Sequence, residues 1–368
     1  MLKYKQDGNL EYSKAWIGNN IFDSPQAMAL TGTNIYICGR TDTLLGGADT
    51  FLLKYDIDTA GIEWAKTWGG INNDTAYAVA IDSANNIYIA GETNSWEPNG
   101  DIFLVKYDTA GNIVWQKTWG GSNRDAAYGI AIDSADNIYL CGQTLSWTAR
   151  GDALLLKFDS SGNVLWRRTW GNTNQQRANA ITIDNTGDIY LAGETFTGAG
   201  TDSDAFILKY DSAGTLIQQK SWHLKSNDMA FGITSDIAGN IYICGKTAGS
   251  QIIPSSETGF LLAVANNGVL TKQITLNGNI GSRELKAMTN DTFNIYLAGM
   301  DTNNSVLFQN VAGVVTELSF ADNGGTEDGA IVTGPFMDAP TGIIDITGIQ
   351  DTGAGKSDVL FLRQNKIE

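Results

Sequence analysis

The sequence predicts an all-β protein, a closed ring of seven sheets with four antiparallel strands each. Three observations carry that expectation. A short string recurs seven times at near-constant spacing. Each interval between recurrences holds four strand-like runs. The one strand missing from the last unit lies at the opposite end of the chain.

The string Asn34-Ile35-Tyr36-Ile37-Cys38-Gly39 returns at 86–91, 137–142, 188–193, 240–245 and 294–299, with a degraded copy at 343–348. Its closing glycines, Gly39, Gly91, Gly142, Gly193, Gly245, Gly299 and Gly348, are 52, 51, 51, 52, 54 and 49 residues apart. A fixed period of this length marks a repeat architecture, in which each unit buries its flanks against its neighbours.

One unit serves for all. Strand a spans 76–82, and the turn Ser83-Ala84-Asn85 leads to strand b at 86–93. Strand c is 101–108, and Thr109-Ala110-Gly111-Asn112 turns into strand d at 113–119. The runs are rich in β-branched and aromatic residues and are bounded by Gly, Asn, Asp and Ser. Ile102-Phe103-Leu104-Val105 is apolar on both faces, as a strand sandwiched between two other sheets must be. Stacked blades of a β-propeller supply that environment.

Closure follows from the count. The last unit has strand a near 329–333, strand b at 343–349 and strand c at 358–363, and then the chain ends. Segment 10–16 aligns with strand d, Tyr12 standing for Trp115, Lys14 for Lys117 and Trp16 for Trp119. An N-terminal outer strand completing the C-terminal blade would remove the open edges of a linear array. Segment 2–5 also resembles a strand c and competes with 360–363 for one slot. The C-terminal copy is favoured, because it reaches strand b through a short loop.

All 368 residues read as one propeller domain, 1–368. Charged residues make up 17%, with 42 Gly and 5 Pro, a mixture suited to short strands and tight turns. The net charge of −16 repels a phosphate backbone, so nucleic acid is excluded as a partner. Membrane insertion is not expected, because no apolar run approaches the ~18–20 residues that span a bilayer. Met1 leads into Leu2-Lys3-Tyr4-Lys5 with no secretory leader. Either a leader has been removed or the protein is not exported by that route.

The string Asp133-Ser134-Ala135-Asp136-Asn137-Ile138-Tyr139-Leu140-Cys141-Gly142, followed by Gly151-Asp152-Ala153-Leu154-Leu155-Leu156-Lys157 and Asn163-Val164-Leu165-Trp166, resembles the SBBP (seven-bladed β-propeller) repeat of bacterial and archaeal proteins. The resemblance covers nearly the whole chain and is strongest over the first four blades. It implies the fold, and with it an extracellular, cell-surface or particle-surface location. It implies little about function, because chemistry belongs to sites and not to folds.

Several residues stand out against the repeat. The d strands carry Trp64/Trp68, Trp115/Trp119 and Trp166/Trp170, which read as blade-to-blade packing in preference to ligand stacking. Lys54, Lys106 and Lys157 fall opposite Trp64, Trp115 and Trp166, a register suited to cation–π contact. Trp96 and Trp147 break the pattern, lying in b–c loops of adjacent blades, where exposed aromatics would anchor a partner. The alternative is a ring folded over its own blade.

Aspartates open strand c (Asp49, Asp101, Asp152, Asp204, Asp358) and precede strand a (Asp23, Asp74, Asp125, Asp228, Asp328). Holding turns is the favoured role. Calcium at Asp202-Ser203-Asp204 is the alternative, although the glycine and distal glutamate of a dedicated loop are missing. The residue after each repeat glycine varies: Arg40, Glu92, Gln143, Glu194, Lys246, Met300, Ile349. These are expected around the channel mouth, as a specific site or as a solvated ring of mixed charge. Cys38, Cys141 and Cys244 share one repeat position in alternate blades, too far apart for disulfides, and read as buried free thiols.

Catalysis has no recognisable constellation. The single histidine, His223, has no nucleophile elbow beside it. One His and three separated Cys cannot make a tetrahedral zinc site. No cofactor is expected apart from the calcium alternative. The sequence therefore reads as a non-catalytic binding or scaffolding module, engaging protein through the face of b–c and d–a loops. A carbohydrate-binding propeller is the second reading, and a hydrolase with a carboxylate pair in the channel mouth is a remote third.

Overall fold

The computed structural model describes residues 2–4, 10–13, 23–42, 47–96, 99–147, 150–197, 202–224, 227–248, 258–276, 283–290, 294–301, 304–311, 314–319, 343–351 and 357–365. Every regular element among them is a strand, so none is a helix able to cross a membrane. Two short strands, β1 (Leu2–Tyr4) and β2 (Leu10–Ser13), come first. Blade one is β3 (Asp23–Thr31), β4 (Asn34–Asp42), β5 (Ala48–Asp56) and β6 (Gly61–Trp68). Blade two is β7 (Asp74–Ile81), β8 (Ile87–Thr93), β9 (Asp101–Tyr107) and β10 (Ile113–Trp119). Blade three is β11 (Asp125–Ile132), β12 (Ile138–Thr144), β13 (Asp152–Phe158) and β14 (Val164–Trp170). Blade four is β15 (Gln176–Ile183), β16 (Ile189–Thr197), β17 (Asp202–Tyr210) and β18 (Leu216–Trp222). Blade five is β19 (Asp228–Ser235), β20 (Ile241–Thr247), β21 (Thr258–Val264) and β22 (Leu270–Leu276). Blade six is β23 (Arg283–Asn290), β24 (Asn294–Asp301), β25 (Asn304–Val311) and β26 (Val314–Ser319). The hairpin of β27 (Ile343–Asp351) and β28 (Ser357–Asn365) follows.

Each of the six complete blades is an antiparallel sheet in the order a-b-c-d, with strand a innermost. Strands b and c are the core. Ile102, Phe103, Leu104 and Val105 are all buried, but they serve two different interfaces. Phe103 and Val105 pack with Tyr36, Cys38 and Leu52 of blade one. Ile102 and Leu104 pack with Ile138, Leu140 and Leu154 of blade three. Side chains alternate between the faces of a strand, so a run apolar throughout is what a doubly covered strand requires.

The repeat glycine has a steric cause. A β-carbon on Gly91 would stand 1.9 Å from the Thr75 carbonyl oxygen, and the same approach recurs at Gly142, Gly193 and Gly245 against Ala126, Arg177 and Met229. Strand a is pressed close there by a bulge. Ala76 and Ala78 face Gly91 and Ala90, leaving Tyr77 as an extra residue. Equivalent register shifts set off Gln26, Tyr128, Asn179, Phe231 and Lys286 in the other blades.

Turns are tied by aspartate. Asp82 Oδ1 accepts the amide N–H of Ala84 (3.0 Å) and of Asn86 (2.8 Å) at an a–b turn. Asp108 Oδ1 does the same for Ala110 (3.0 Å) and Asn112 (2.8 Å) at a c–d turn. Asn85 and Gly111 take the positive φ these turns need, 63° and 79°. The a–b turns also link blades, Ser83 Oγ donating to Asp136 Oδ2 at 2.7 Å.

At the ring junction, β27 pairs with β28 in the b and c positions, so the C-terminal copy does take the contested slot. Both strands lie against β3 of blade one. The N-terminal segment joins this blade differently from the expected single outer strand. Here β1 pairs with β2, Lys3 facing Tyr12, and β1 lies against β28. The two hairpins remain separate two-stranded sheets. A five-residue connection makes the local β1–β2 hairpin entropically cheap, which favours it over a direct long-range pairing of β2. The expected strand a at 329–333, and Lys14 and Trp16, lie outside the described residues.

Candidate functional site

Among the described residues, the b–c loop of each of blades two to five is tied to the d–a loop that leads into its blade. The N–H groups of Asn94, Leu145, Phe196 and Ala248 donate to the carbonyls of Asn73, Arg124, Gln175 and Asn227 at 2.8–3.0 Å, joining each b–c loop to the preceding d–a loop. The aspartate heading strand a ties this junction further. Asp74 accepts Gly70 N–H (2.9 Å), Ser95 Oγ–H (2.6 Å) and the Thr93 hydroxyl. Asp125 accepts Gly121 N–H (2.9 Å) and Ser146 Oγ–H (2.6 Å). These acids therefore hold turns, as their position in the repeat suggests. The aspartate opening strand c comes close to them across the blade junction. Burial, and then the charge of Asp74, push the Asp49 carboxyl above its ordinary value.

Trp96 and Trp147 are the exposed aromatics of these loops, 48% and 43% accessible. Neither ring is loose. Trp96 packs on Trp68 at 4.8 Å between centroids and Trp147 on Trp119 at 5.0 Å, the rings tilted by 34° and 43°. The Arg167 guanidinium lies 4.1 Å from the Trp147 ring centre. Trp68 is in turn fixed by Phe103 of blade two at 4.4 Å and donates its indole N–H to Gln116 Oε1 at 2.9 Å. The d-strand tryptophans thus pack blade to blade.

The lysines depart from expectation. Lys106 does face Trp115 and Lys157 Trp166 in register. Their ammonium groups, however, lie over the strand-b tyrosines, Lys106 4.9 Å from the Tyr88 ring and Lys157 4.8 Å from Tyr139. Asp82 explains the choice, since its Oδ2 accepts both Tyr88 Oη–H (2.9 Å) and Lys106 Nζ–H (3.2 Å).

The residues after the repeat glycines are mostly engaged. Glu92 holds Arg124 of the next d–a loop in a bidentate pair, at 2.7 and 2.6 Å. Gln143 Nε2 donates to the Gln176 carbonyl at 3.0 Å, and Arg40 pairs with Asp42 at 3.0 Å. Glu194 is 1% exposed and paired with Arg177. Burial pushes its carboxyl above the ordinary value, against the attraction of Arg177 and Lys246. For Met300 and Ile349 only the backbone is described.

Sequence reasoning missed the bulge residues. Tyr77 and Tyr128 meet at 5.4 Å, Arg177 lies 5.5 Å from the Tyr128 ring, and Lys286 4.6 Å from the Phe231 ring. Asn179 Nδ2 donates to the Ala230 carbonyl at 2.9 Å. All are contacts between successive innermost strands, so these side chains ring the axis. The readable signal was a residue that varies between Ala-x-Ala or Ala-x-Gly flanks in blades two to five.

His223 follows the last d-strand tryptophan of blade four. Its Nδ1 lies 2.7 Å from Asp204 Oδ1, and Asp204, His223 and Asp228 hold their donor atoms within 4.8 Å of one another. Counting only His and Cys as ligands had hidden this set. The three cysteines are free and buried, and burial pushes each thiol well up.

The family model described as SBBP, beta-propeller repeat, matches residues 63–95 and 118–146. A WD repeat-containing protein of Acanthamoeba polyphaga mimivirus is 23% identical over 76% of this chain and 25% of its own length. Regulatory protein FlaEY of Caulobacter vibrioides is 22% identical over 86% of this chain and 38% of its own. The chain thus spans well under half the length of these relatives. Among solved structures, an ulvan lyase of the polysaccharide lyases, bound to GlcA(1-4)Rha3S, is 12% identical with a TM-score of 0.60, covering 95% of both chains. The beta-propeller domain of the trilobed protease of Pyrococcus furiosus is 8% identical with a TM-score of 0.52, covering 94% of this chain and 98% of its own. At these identities the likeness is one of fold.

Proposed function

For a chain built from the SBBP beta-propeller repeat, we propose a non-catalytic binding module that takes a protein partner on its loop face, with Trp96 and Trp147 as anchors. The observation that carries this reading is the bracing of two half-exposed indoles, in adjacent blades, by tryptophans beneath them. An aromatic already fixed in place loses little rotamer freedom on binding, and such residues dominate interface energetics. The variable loops favour one composite site over several equal ones.

A second reading, a glycan ligand, draws on the same platforms. Packed indoles beside Asn72, Asn94, Ser95, Asn123 and Ser146 combine aromatic surface with amide and hydroxyl groups. The ulvan lyase likeness adds fold analogy only. A glycan array and an affinity capture from the native organism, run with the wild type and with the Trp96→Ala/Trp147→Ala pair, separate the readings. A protein captured by the wild type and lost by the double variant, with a thermal midpoint within a few degrees, is expected. Array signals lost in the same way would move the assignment to glycan. A partner retained by the double variant would overturn the anchors altogether.

A further inference from the structure

In blades one to three the residue after the last d-strand tryptophan is glycine: Gly69, Gly120 and Gly171. Each is wedged between an acid of strand c and the first side chain of the next strand a. A β-carbon on Gly69 would stand 2.3 Å from Asp49 Oδ1 and 2.7 Å from Asp74 Oδ2. On Gly120 it would stand 2.0 Å from Asp101 Oδ1 and 3.0 Å from Asp125 Oδ2. At the junction of blades four and five the glycine is replaced by the chain's single histidine, on a d–a loop of unchanged length. The loop keeps its tie, Leu224 N–H donating to Asp228 Oδ2 at 2.5 Å as Gly70 N–H does to Asp74. An imidazole has thus been placed at the point where two carboxylates converge, a change made in one blade and visible independently in the repeat register.

We propose that Asp204, His223 and Asp228 form a binding site for a divalent first-row transition ion, zinc foremost, at the junction of blades four and five. Their donor atoms already lie within 4.8 Å of one another. One imidazole nitrogen with two carboxylate oxygens suits zinc, cobalt or nickel, whereas calcium demands six to eight oxygens. A cation between the two acids also relieves their mutual repulsion. Asp228 is wholly buried and fixed by the loop amide, which gives the site one rigid ligand. The His223 side chain is 59% exposed, leaving a coordination position open to solvent on the loop face.

The test uses the full chain without a polyhistidine tag. Titration calorimetry with zinc chloride should show stoichiometric binding. Because the chain has one histidine, the imidazole signals in a proton–nitrogen NMR spectrum report on this site alone and should shift as zinc is added. His223→Gly restores the residue of the first three blades and should abolish binding while leaving the thermal midpoint unchanged. Asp204→Asn should weaken binding at least tenfold. Undiminished zinc binding by His223→Gly, or imidazole signals unmoved by zinc in the wild type, would reduce the cluster to a His–Asp ion pair and overturn the site.

Discussion

At Gly91 the atoms in the way of a β-carbon are the Thr75 carbonyl oxygen at 1.9 Å and the Ala76 α-carbon at 2.9 Å. Both are backbone, and neither can rotate aside. Gly91→Ala should therefore push strand a inward and cost about 3 kcal/mol, at the upper end of overpacking penalties. Calorimetric unfolding beside an equivalent change at an open position such as Gly187, where no atom lies within 4 Å, measures the difference. Gly187 has a positive φ of 85°, so its own cost reports backbone strain without a clash. The cysteines make a milder case. Cys38, Cys141 and Cys244 occupy a place that Ala90 and Ala192 fill in other blades, all fully buried. Buried neutral thiols are poor nucleophiles. A thiol reagent should label none of them until the chain unfolds, and rapid labelling of the native protein would show that blades open. Cys141→Ala should cost about 1 kcal/mol, the value of a small buried group.

The turn aspartates act as a set of like elements. Asp82 and Asp184 are buried and Asp133 half-buried, yet hydrogen bonds from the turn that follows each hold their carboxyls below the ordinary value. Asp108, Asp159 and Asp211, at the c–d turns, are lowered by the same kind of bonds. A carboxyl depressed in the folded state stabilises above its unfolded pKa of about 3.9, and that contribution fades as pH falls through the folded value. Asp49, Asp152 and Glu194, raised by burial, work the other way and oppose folding once ionised. The depressed set is larger and spread over blades two to four. Stability should fall steeply below about pH 4, and Asp82→Ala should flatten that slope in urea unfolding followed across pH. These caps stand in plain view as Asp-x-x-x-Asn at 82–86, 108–112 and 133–137. Strand positions were equally legible, because Gly/Asn/Asp turns and doubly apolar runs follow from local sterics and burial. The bulges were not, since an extra residue changes no residue type and shows only when two strands are laid side by side. Nor was the Asp204–His223–Asp228 set, whose outer members are 24 positions apart and belong to different blades. Laying the d–a loops over one another, Gly69 on Gly120 on Gly171 on His223, would have exposed it.

For the whole molecule the decisive junction is between the two ends of the chain. There β27 and β28 lie against β3, and β1 lies against β28, so blade one and the C-terminal hairpin share a boundary that the N-terminal hairpin flanks. Removing residues 1–13 should uncover the edge of β28, against which β1 lies, and promote association between molecules. Light scattering on heating should rise earlier for the truncated chain than for the full one. Identical scattering and unfolding would mean that the hairpin contributes nothing to the ring. Around the axis the molecule follows a different logic. Every complete blade keeps the same bulge, whereas the residue it ejects is Gln26, Tyr77, Tyr128, Asn179, Phe231 or Lys286. The ladder on either side of the ejected residue is closed by its neighbours, so its identity places few demands on folding. The axis is in effect a row of six interchangeable characters set in a fixed typeface, and descendants of this chain can rewrite its lining one character at a time while the page stays intact.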